Sequence, residues 1–415
     1  MTPSELGRRL GVGDAVVIGL GSMIGAGVFV SFSPAAAAAG SGLLLGLLVA
    51  GVVAYCNATS SARLAARYPQ SGGTYVYGRN RLGDFWGYLA GWCFVVGKIA
   101  SCAAMALTVG HYLAPRWAGP VAAVTVLALT AVNYFGVRRS VWVTRVLVTV
   151  TLLVLLLVVV AAMAGGQADP ARLEPFPGTD VFGVLQAAGM VFFAFAGYAR
   201  ITTLGEEVVD PASTIRRAVP LALAIVLAVY AVVALAVLLV LGPSGVAASV
   251  APLGEAVRAG RMSWAAPVVG VGAAVAAVGS LLALVLGVSR TWFAMARDHH
   301  LPRWFAAVHP RHRVPHRAEL AVGVIAAALA MGVDLRGAIG FSSFGVLVYY
   351  AIANAAAWTL RSAEGRPPRW VPVLGLTGCL VLVVSLPTSS VVAGVVVTGM
   401  GAAAWGVRRL VAPRR

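Results

Sequence analysis

The chain has 415 residues, 60% of them hydrophobic and only 11% charged, with a formal net charge of +17. A soluble domain carries about 25% charged residues, so this composition, with a mean hydropathy of +0.89, excludes an ordinary soluble protein and implies an integral membrane protein. The positive charge lies in short arginine clusters between apolar runs, a pattern that fits retained cytoplasmic loops better than a nucleic-acid surface.

A helix needs ~20 apolar residues to cross the hydrocarbon core. At that length the chain reads as twelve spans, at 14–39, 42–62, 84–113, 118–136, 141–164, 181–204, 218–242, 264–296, 318–335, 338–360, 370–387 and 389–407. Of the arginines, 25 then fall on the side of the two termini and 5 on the other, the latter being Arg116, Arg172, Arg258, Arg261 and Arg336. A miscounted span would invert every later loop, so this bias predicts a multi-pass protein of the cytoplasmic (plasma) membrane. The tails, 1–13 and 408–415, are both expected in the cytoplasm. The first apolar run is longer than a signal-peptide core and many spans follow, so it is read as retained. Cys56, Cys93, Cys102 and Cys379 all lie in apolar runs and read as buried free thiols. No metal-ligand spacing is present.

The first span is not smooth. Gly19–Phe29 reads GLGSMIGAGVF, with Gly19, Gly21, Gly25 and Gly27 around Ser22. Each glycine weakens a helix by ~1 kcal/mol relative to alanine, so a mid-span break is expected. Backbone groups freed in lipid must find a neighbour helix, water or a polar ligand. The sixth span repeats the signal in Met190–Gly205, MVFFAFAGYARITTLG, where Gly197 interrupts an aromatic run. Glycines of this kind also serve close helix packing. Their matched placement in two five-span halves instead points to inverted repeats with a midplane site. The repeats are then 14–164 and 181–360, with two additional helices at 366–407. The glycine pattern at 19–25 also imitates a dinucleotide fingerprint, but that motif requires a strand and a soluble βαβ unit.

Five stretches carry a resemblance over nearly the whole chain: GSMIGAGVF (21–29), YPQSGGTYVYGRNRLG (68–83), FFAFAGYA (192–199), GEEVVDPASTIRRAVP (205–220) and SRTWFAMARDHHLPRWFAAVHP (289–310). In this order they resemble the amino acid–polyamine–organocation permeases. The resemblance implies an all-α, LeuT-like fold of five-plus-five inverted helices with discontinuous helices 1 and 6, working by alternating access. It implies an amino acid or related amine bound between spans one and six. Ala26 and Gly27 would present backbone N–H groups to the substrate carboxylate, with Gly25 beside them in the substrate site, and Met23, Phe193 and Ala196 would present carbonyls to its ammonium. Gly197 marks the sixth-span break, and Phe193 would cover the substrate. This division agrees with the polarity of helix ends.

Three positions depart from the family pattern. Ala26 stands where several relatives carry a hydroxyl, which Ser22 replaces only if the turn shifts. Ala199, followed by Arg200, stands where many relatives have an acid. Thr151 stands where proton-coupled relatives place a span-five lysine.

Lys98, in the middle of span three, is the only lysine. At a helix centre a lysine costs about +2.5 to +3.5 kcal/mol on insertion scales, and unlike arginine it can give up its proton when buried. It is read either as the carrier of a coupling proton or as charge balance near the substrate, against a structural ammonium on carbonyls of a broken helix. Ser280 and Thr151 are candidates for a cation site, against hydroxyls that bond back to their own helices. Glu206 and Glu207 read as an inner gate or a solvated pair. His299, His300, His309, His312 and His316 read as a basic loop facing lipid rather than a metal site. Tyr350 and Asn354 read as cavity or packing residues.

No phosphate-binding loop is present, so a gradient or exchange must supply energy, with a proton or sodium as the coupling ion. The expected function is secondary transport of an amino acid with a neutral side chain, and the alternative is a polyamine or organocation antiporter. A membrane-embedded enzyme would need a nucleophile–base pair or metal cluster, and a channel would need charge rings or a carbonyl filter. Neither pattern is visible. The expected partners are the small-molecule substrate, the coupling ion and membrane lipid, with no cofactor and no nucleic acid.

Overall fold

A computed structural model describes residues 10–68, 72–135, 141–202 and 208–411. The helices are α1 (Val12–Met23), α2 (Ala26–Val30), α3 (Phe32–Ala39), α4 (Leu43–Arg67), α5 (Thr74–Leu82), α6 (Asp84–Leu113), α7 (Ala118–Tyr134), α8 (Val141–Ala164) and α9 (Val181–Phe195). They continue as α10 (Ala199–Thr202), α11 (Pro211–Ala248), α12 (Pro252–Ala259), α13 (Ala266–Arg297), α14 (His316–Gly332), α15 (Leu335–Trp358), α16 (Trp370–Ser385) and α17 (Thr388–Val411). Among the described residues the only strand-like pairing is an isolated bridge between Leu10 and Val208.

Ten stretches are helical, long and apolar enough to cross a membrane. The expected ninth and eleventh spans are also helices but shorter, α14 with 17 residues and α16 with 16. Their ends explain this. α14 starts on His316, Arg317 and Glu319, and α16 stops before Leu386–Pro387, where proline disfavours helix at the preceding residue. Two further helices were not expected. α5 lies in the loop after α4, and α12 follows the end of α11, which is itself kinked at Gly242, whose φ of 67° suits glycine.

Local sequence sets the helix ends. Asp180 caps α9 by accepting from the Gly183 N–H at 2.8 Å, a contact worth ~1 kcal/mol. α3 stops at Gly40, whose φ of +54° is left-handed. Around these ends, α6 and α15 form the centre, with 83% of each apolar window buried, against 17% for the peripheral α17. They approach backbone to backbone, since a Cβ on Gly345 would stand 2.7 Å from the Cys93 carbonyl oxygen. The Ser101 and Ser342 hydroxyls meet beside this crossing at 2.5 Å. Small residues and hydroxyl pairs are how helices associate where lipid leaves no hydrophobic drive.

Candidate functional site

The first helix breaks where the glycines predict. α1 ends at Met23, Ile24 takes φ −79° and ψ 66°, and Gly25 takes φ −120° and ψ −138° before α2 begins. The turn is closed by Ile24 N–H to the Leu20 carbonyl at 2.7 Å and Gly25 N–H to the Met23 carbonyl at 2.8 Å. The sixth span changes less. α9 tightens into a 3₁₀ turn at Ala196–Tyr198 and continues as α10.

The two interruptions touch. A Cβ on Gly197 would run into the Ser22 carbonyl and stand 2.7 Å from the Met23 nitrogen. One on Gly27 would stand 2.6 Å from the Ala194 Cα, and one on Gly25 would strike the Ser280 hydroxyl. The glycines thus bring α1–α2, α9–α10 and α13 together without side chains between them. The junction is enclosed, with Met23 at 2% exposure, Ala26 at 0%, Phe193 at 7% and Ala196 at 4%.

Two carbonyls named from the sequence have partners here. The Tyr230 hydroxyl lies 2.6 Å from the Met23 carbonyl oxygen and 3.2 Å from that of Ala194, so one O–H spans both interrupted helices. The Lys98 ammonium donates to the Ala196 carbonyl at 3.5 Å. Lys98 is buried, and among the described residues no carboxylate forms an ion pair with it. Sequence reasoning singled out Lys98 but missed Tyr230. The available signal was a lone phenol in the apolar run LALAIVLAVYAVVALAVLLVL (221–241).

Other hydroxyls are turned inward on their own helices. Ser22 donates to the Ile18 carbonyl at 3.0 Å and Thr151 to the Leu147 carbonyl at 2.8 Å, the back-bonding weighed for Thr151 from the sequence. Ser280 packs on Gly25. Asn354 donates to Asn57 Oδ1 at 2.6 Å and to the Tyr350 carbonyl at 2.9 Å, and it accepts from Ser60 at 2.7 Å. This buried polar seam joins α4 to α15 behind the sixth span.

Side-chain contacts tie the helices together beyond the junction on both faces. On the arginine-rich face, Asp298 accepts from the Tyr75 hydroxyl at 2.8 Å and from Arg79 at 2.6 Å. His300 Nδ1 lies 2.8 Å from the same hydroxyl. Burial, with help from Arg79 and Arg408, pushes the His300 imidazole down to about 4, so it is neutral at pH 7. With the Tyr75 proton directed to Asp298, the Nδ1–H donates to the Tyr75 oxygen. Glu364 accepts from Arg81 at 2.5 Å and from Arg67 at 3.3 Å, and these hydrogen bonds pull its carboxyl down to about 2. On the opposite face Arg336 donates to Ser33 Oγ at 3.3 Å and to the Ala247 carbonyl. The Tyr112 hydroxyl donates to the Phe29 carbonyl at 2.8 Å. Glu206 and Glu207 lie outside the described residues. The histidines divide: His309, His312 and His316 surround Tyr134, whereas His300 joins Tyr75. Among the described residues no three His, Cys, Asp or Glu side chains are grouped to hold a metal.

With this geometry in view, comparison with known proteins is informative. A family model described as amino acid permease matches residues 10–406. An uncharacterized transporter of Mycobacterium tuberculosis is 69% identical over 412 residues, covering 99% of this chain and 94% of its own. A branched-chain amino acid permease of Bacillus subtilis is 27% identical over 414 residues, covering 92% of this chain and 89% of its own. A vacuolar cationic amino acid transporter of Arabidopsis thaliana is 30% identical over 400 residues, covering 89% of this chain and 66% of its own.

Proposed function

The chain belongs to the amino acid permease family, and on that premise we propose that it is a secondary active transporter of amino acids with neutral side chains. It works by alternating access in the plasma membrane, through twelve spans with both termini in the cytoplasm. Residues 14–164 and 181–360 form two inverted repeats, and 366–407 adds two helices. The observation that carries this reading is the buried contact between two interrupted helices, Gly197 against Ser22–Met23. Backbone groups at a helix break in a dry core have their hydrogen bonds incomplete, and a zwitterion supplies both signs of partner.

In this mechanism the N–H groups at Ala26 and Gly27 face the substrate carboxylate, with Gly25 lining the site beside them, and carbonyls at Met23, Phe193 and Ala196 face its ammonium. Met23 and Ala196 are already engaged, by Tyr230 and Lys98. The substrate ammonium therefore competes with Lys98 for the Ala196 carbonyl. A bound zwitterion displaces the lysine ammonium, which then pairs with the substrate carboxylate or releases its proton. A side chain with its own positive charge meets repulsion at Lys98, which supports neutral substrates over polyamines and other organocations. Energy comes from proton coupling or exchange.

The test is counterflow in proteoliposomes with labelled amino acids, for wild type and Lys98→Met at several pH values. Saturable, stereoselective exchange of neutral amino acids is expected, with loss of rate and altered pH dependence in the variant. Linear voltage-driven flux would sink the carrier reading, and an unchanged pH profile in Lys98→Met would remove the lysine from coupling. Stabilisation of the purified protein by polyamines alone would overturn the preference for amino acids.

A further inference from the structure

A cleft of about 660 Å³ opens at the arginine-rich face between the start of α6, the loop after α13 and the end of α17. It lies away from the helix breaks and shares none of their residues. Its walls are mostly apolar, with Trp92, Leu301 and Val407 among them, and Arg303 and Arg408 supply its charge. Among the described residues no Asp or Glu lines it. The neighbouring acid, Asp298, is already bound by Tyr75 and Arg79. Arg408 lines the cleft together with Tyr88 and His300.

We propose that this cleft binds the headgroup of an anionic phospholipid. The two guanidiniums match a phosphate and have no carboxylate partner in the cleft among the described residues, and arginine takes a phosphate through two parallel N–H bonds. Its volume falls in the range of small-molecule sites, roughly 300–1,000 Å³. The mouth continues onto α17, where Val396, Met400 and Val407 are 54%, 62% and 59% exposed. Spaced by four and seven residues, they form one apolar stripe on the helix, in line for an acyl chain. A free phosphate ion has no use for that stripe, so the occupant is a lipid. Trp92 fixes α17 against α6 by donating from its indole to the Val397 carbonyl at 2.9 Å, which holds both walls in place. The arginines are on the face that the sequence assigns to the cytoplasm, where anionic lipid attracts basic residues.

The experiment uses the full-length protein in detergent. Thermal stability is measured with added phosphatidylglycerol, phosphatidylcholine or inorganic phosphate, and lipid retained after purification is counted by native mass spectrometry. Wild type is expected to be stabilised by phosphatidylglycerol only and to retain it. Each arginine is worth about 1 kcal/mol near an anionic surface, so the double variant R303Q/R408Q should bind about 30-fold more weakly. The control R116Q/R261Q, on the opposite face, should bind as wild type does. Equal stabilisation by phosphatidylcholine would overturn charge recognition, and equal stabilisation by phosphate would overturn the lipid. Equal loss in the control pair would overturn the site. Competition between phosphatidylglycerol and phosphatidylcholine on the wild-type protein reads the same preference without any variant.

Discussion

The first and sixth spans are both interrupted, but in different ways. The first loses its helix at Ile24–Gly25, and the carbonyl it exposes at Met23 is held by a neutral phenol on α11. The sixth only tightens through Ala196–Tyr198, and its carbonyl at Ala196 faces an ammonium on α6. A phenol at 2.6 Å is a short hydrogen bond, while the ammonium at 3.5 Å is at the limit of one. The first break is therefore pinned, and the sixth is held by a partner that is readily exchanged. We expect substrate binding to disturb Lys98 before it disturbs Tyr230.

The contrast can be broken most severely at the contact itself. Gly197→Val places a branched side chain into the backbone of Ser22, and overpacking without room to relax costs about 1–3 kcal/mol or more. The expected outcome is loss of transport with a lower melting temperature, and retained transport would show that the two spans need not touch. Lys98→Met comes next. Losing a charged hydrogen bond of about 1.5–3 kcal/mol corresponds to about 10–100-fold in transport rate. Rescue by Lys98→Arg would indicate a fixed charge, and failure to rescue would indicate a titrating amine. Tyr230→Phe removes the hydroxyl shared by the buried carbonyls of Met23 and Ala194, at about 1–3 kcal/mol of stability. Because the first break is pinned rather than exchanged, this variant should lose melting temperature more than substrate affinity, and the reverse result would undo the comparison. The smallest effect belongs to Thr151→Val. Its hydroxyl serves its own helix, so stability and transport should move by no more than about 0.5 kcal/mol, and a large loss would restore Thr151 to a coupling site.

A separate pH dependence belongs to the arginine-rich face. The His300 imidazole is held at about 4 when folded, against 6.5 for the free side chain. The unfolded chain therefore binds this proton first as pH falls. The stability contributed by neutral His300 is present above pH 6.5 and is lost progressively down to about pH 4. Thermal unfolding of wild type and His300→Gln between pH 4 and 7 should show a shallower slope in the variant.

Much of this was readable from single residues. Apolar length marked the helices, because a lipid solvent demands closed backbone hydrogen bonding over a fixed thickness. Clustered glycines placed the first break inside Gly19–Phe29, where Ile24–Gly25 interrupts the helix, because their cost is local. Lys98 drew notice as a charge where charge is expensive, yet its partner is 98 positions away, and no periodicity carries that pairing. Tyr230 escaped for the same reason, since its hydroxyl meets Met23 at a separation of 207. The shortness of α14 and α16 was missed because charged and proline-bounded ends were counted as span rather than as termini.

Lys98 also bears on membrane voltage. An ammonium in the middle of a span, with no ion-paired carboxylate among the described residues, feels the transmembrane field, at about 2.3 kcal/mol per charge across 100 mV. If it stays charged and in place, a zwitterion crosses with no net current and the cell's potential neither drives nor opposes uptake. If its proton leaves with the substrate, each turnover carries one positive charge. Current recorded on a solid-supported membrane during neutral amino acid uptake distinguishes these two cases in the unaltered protein.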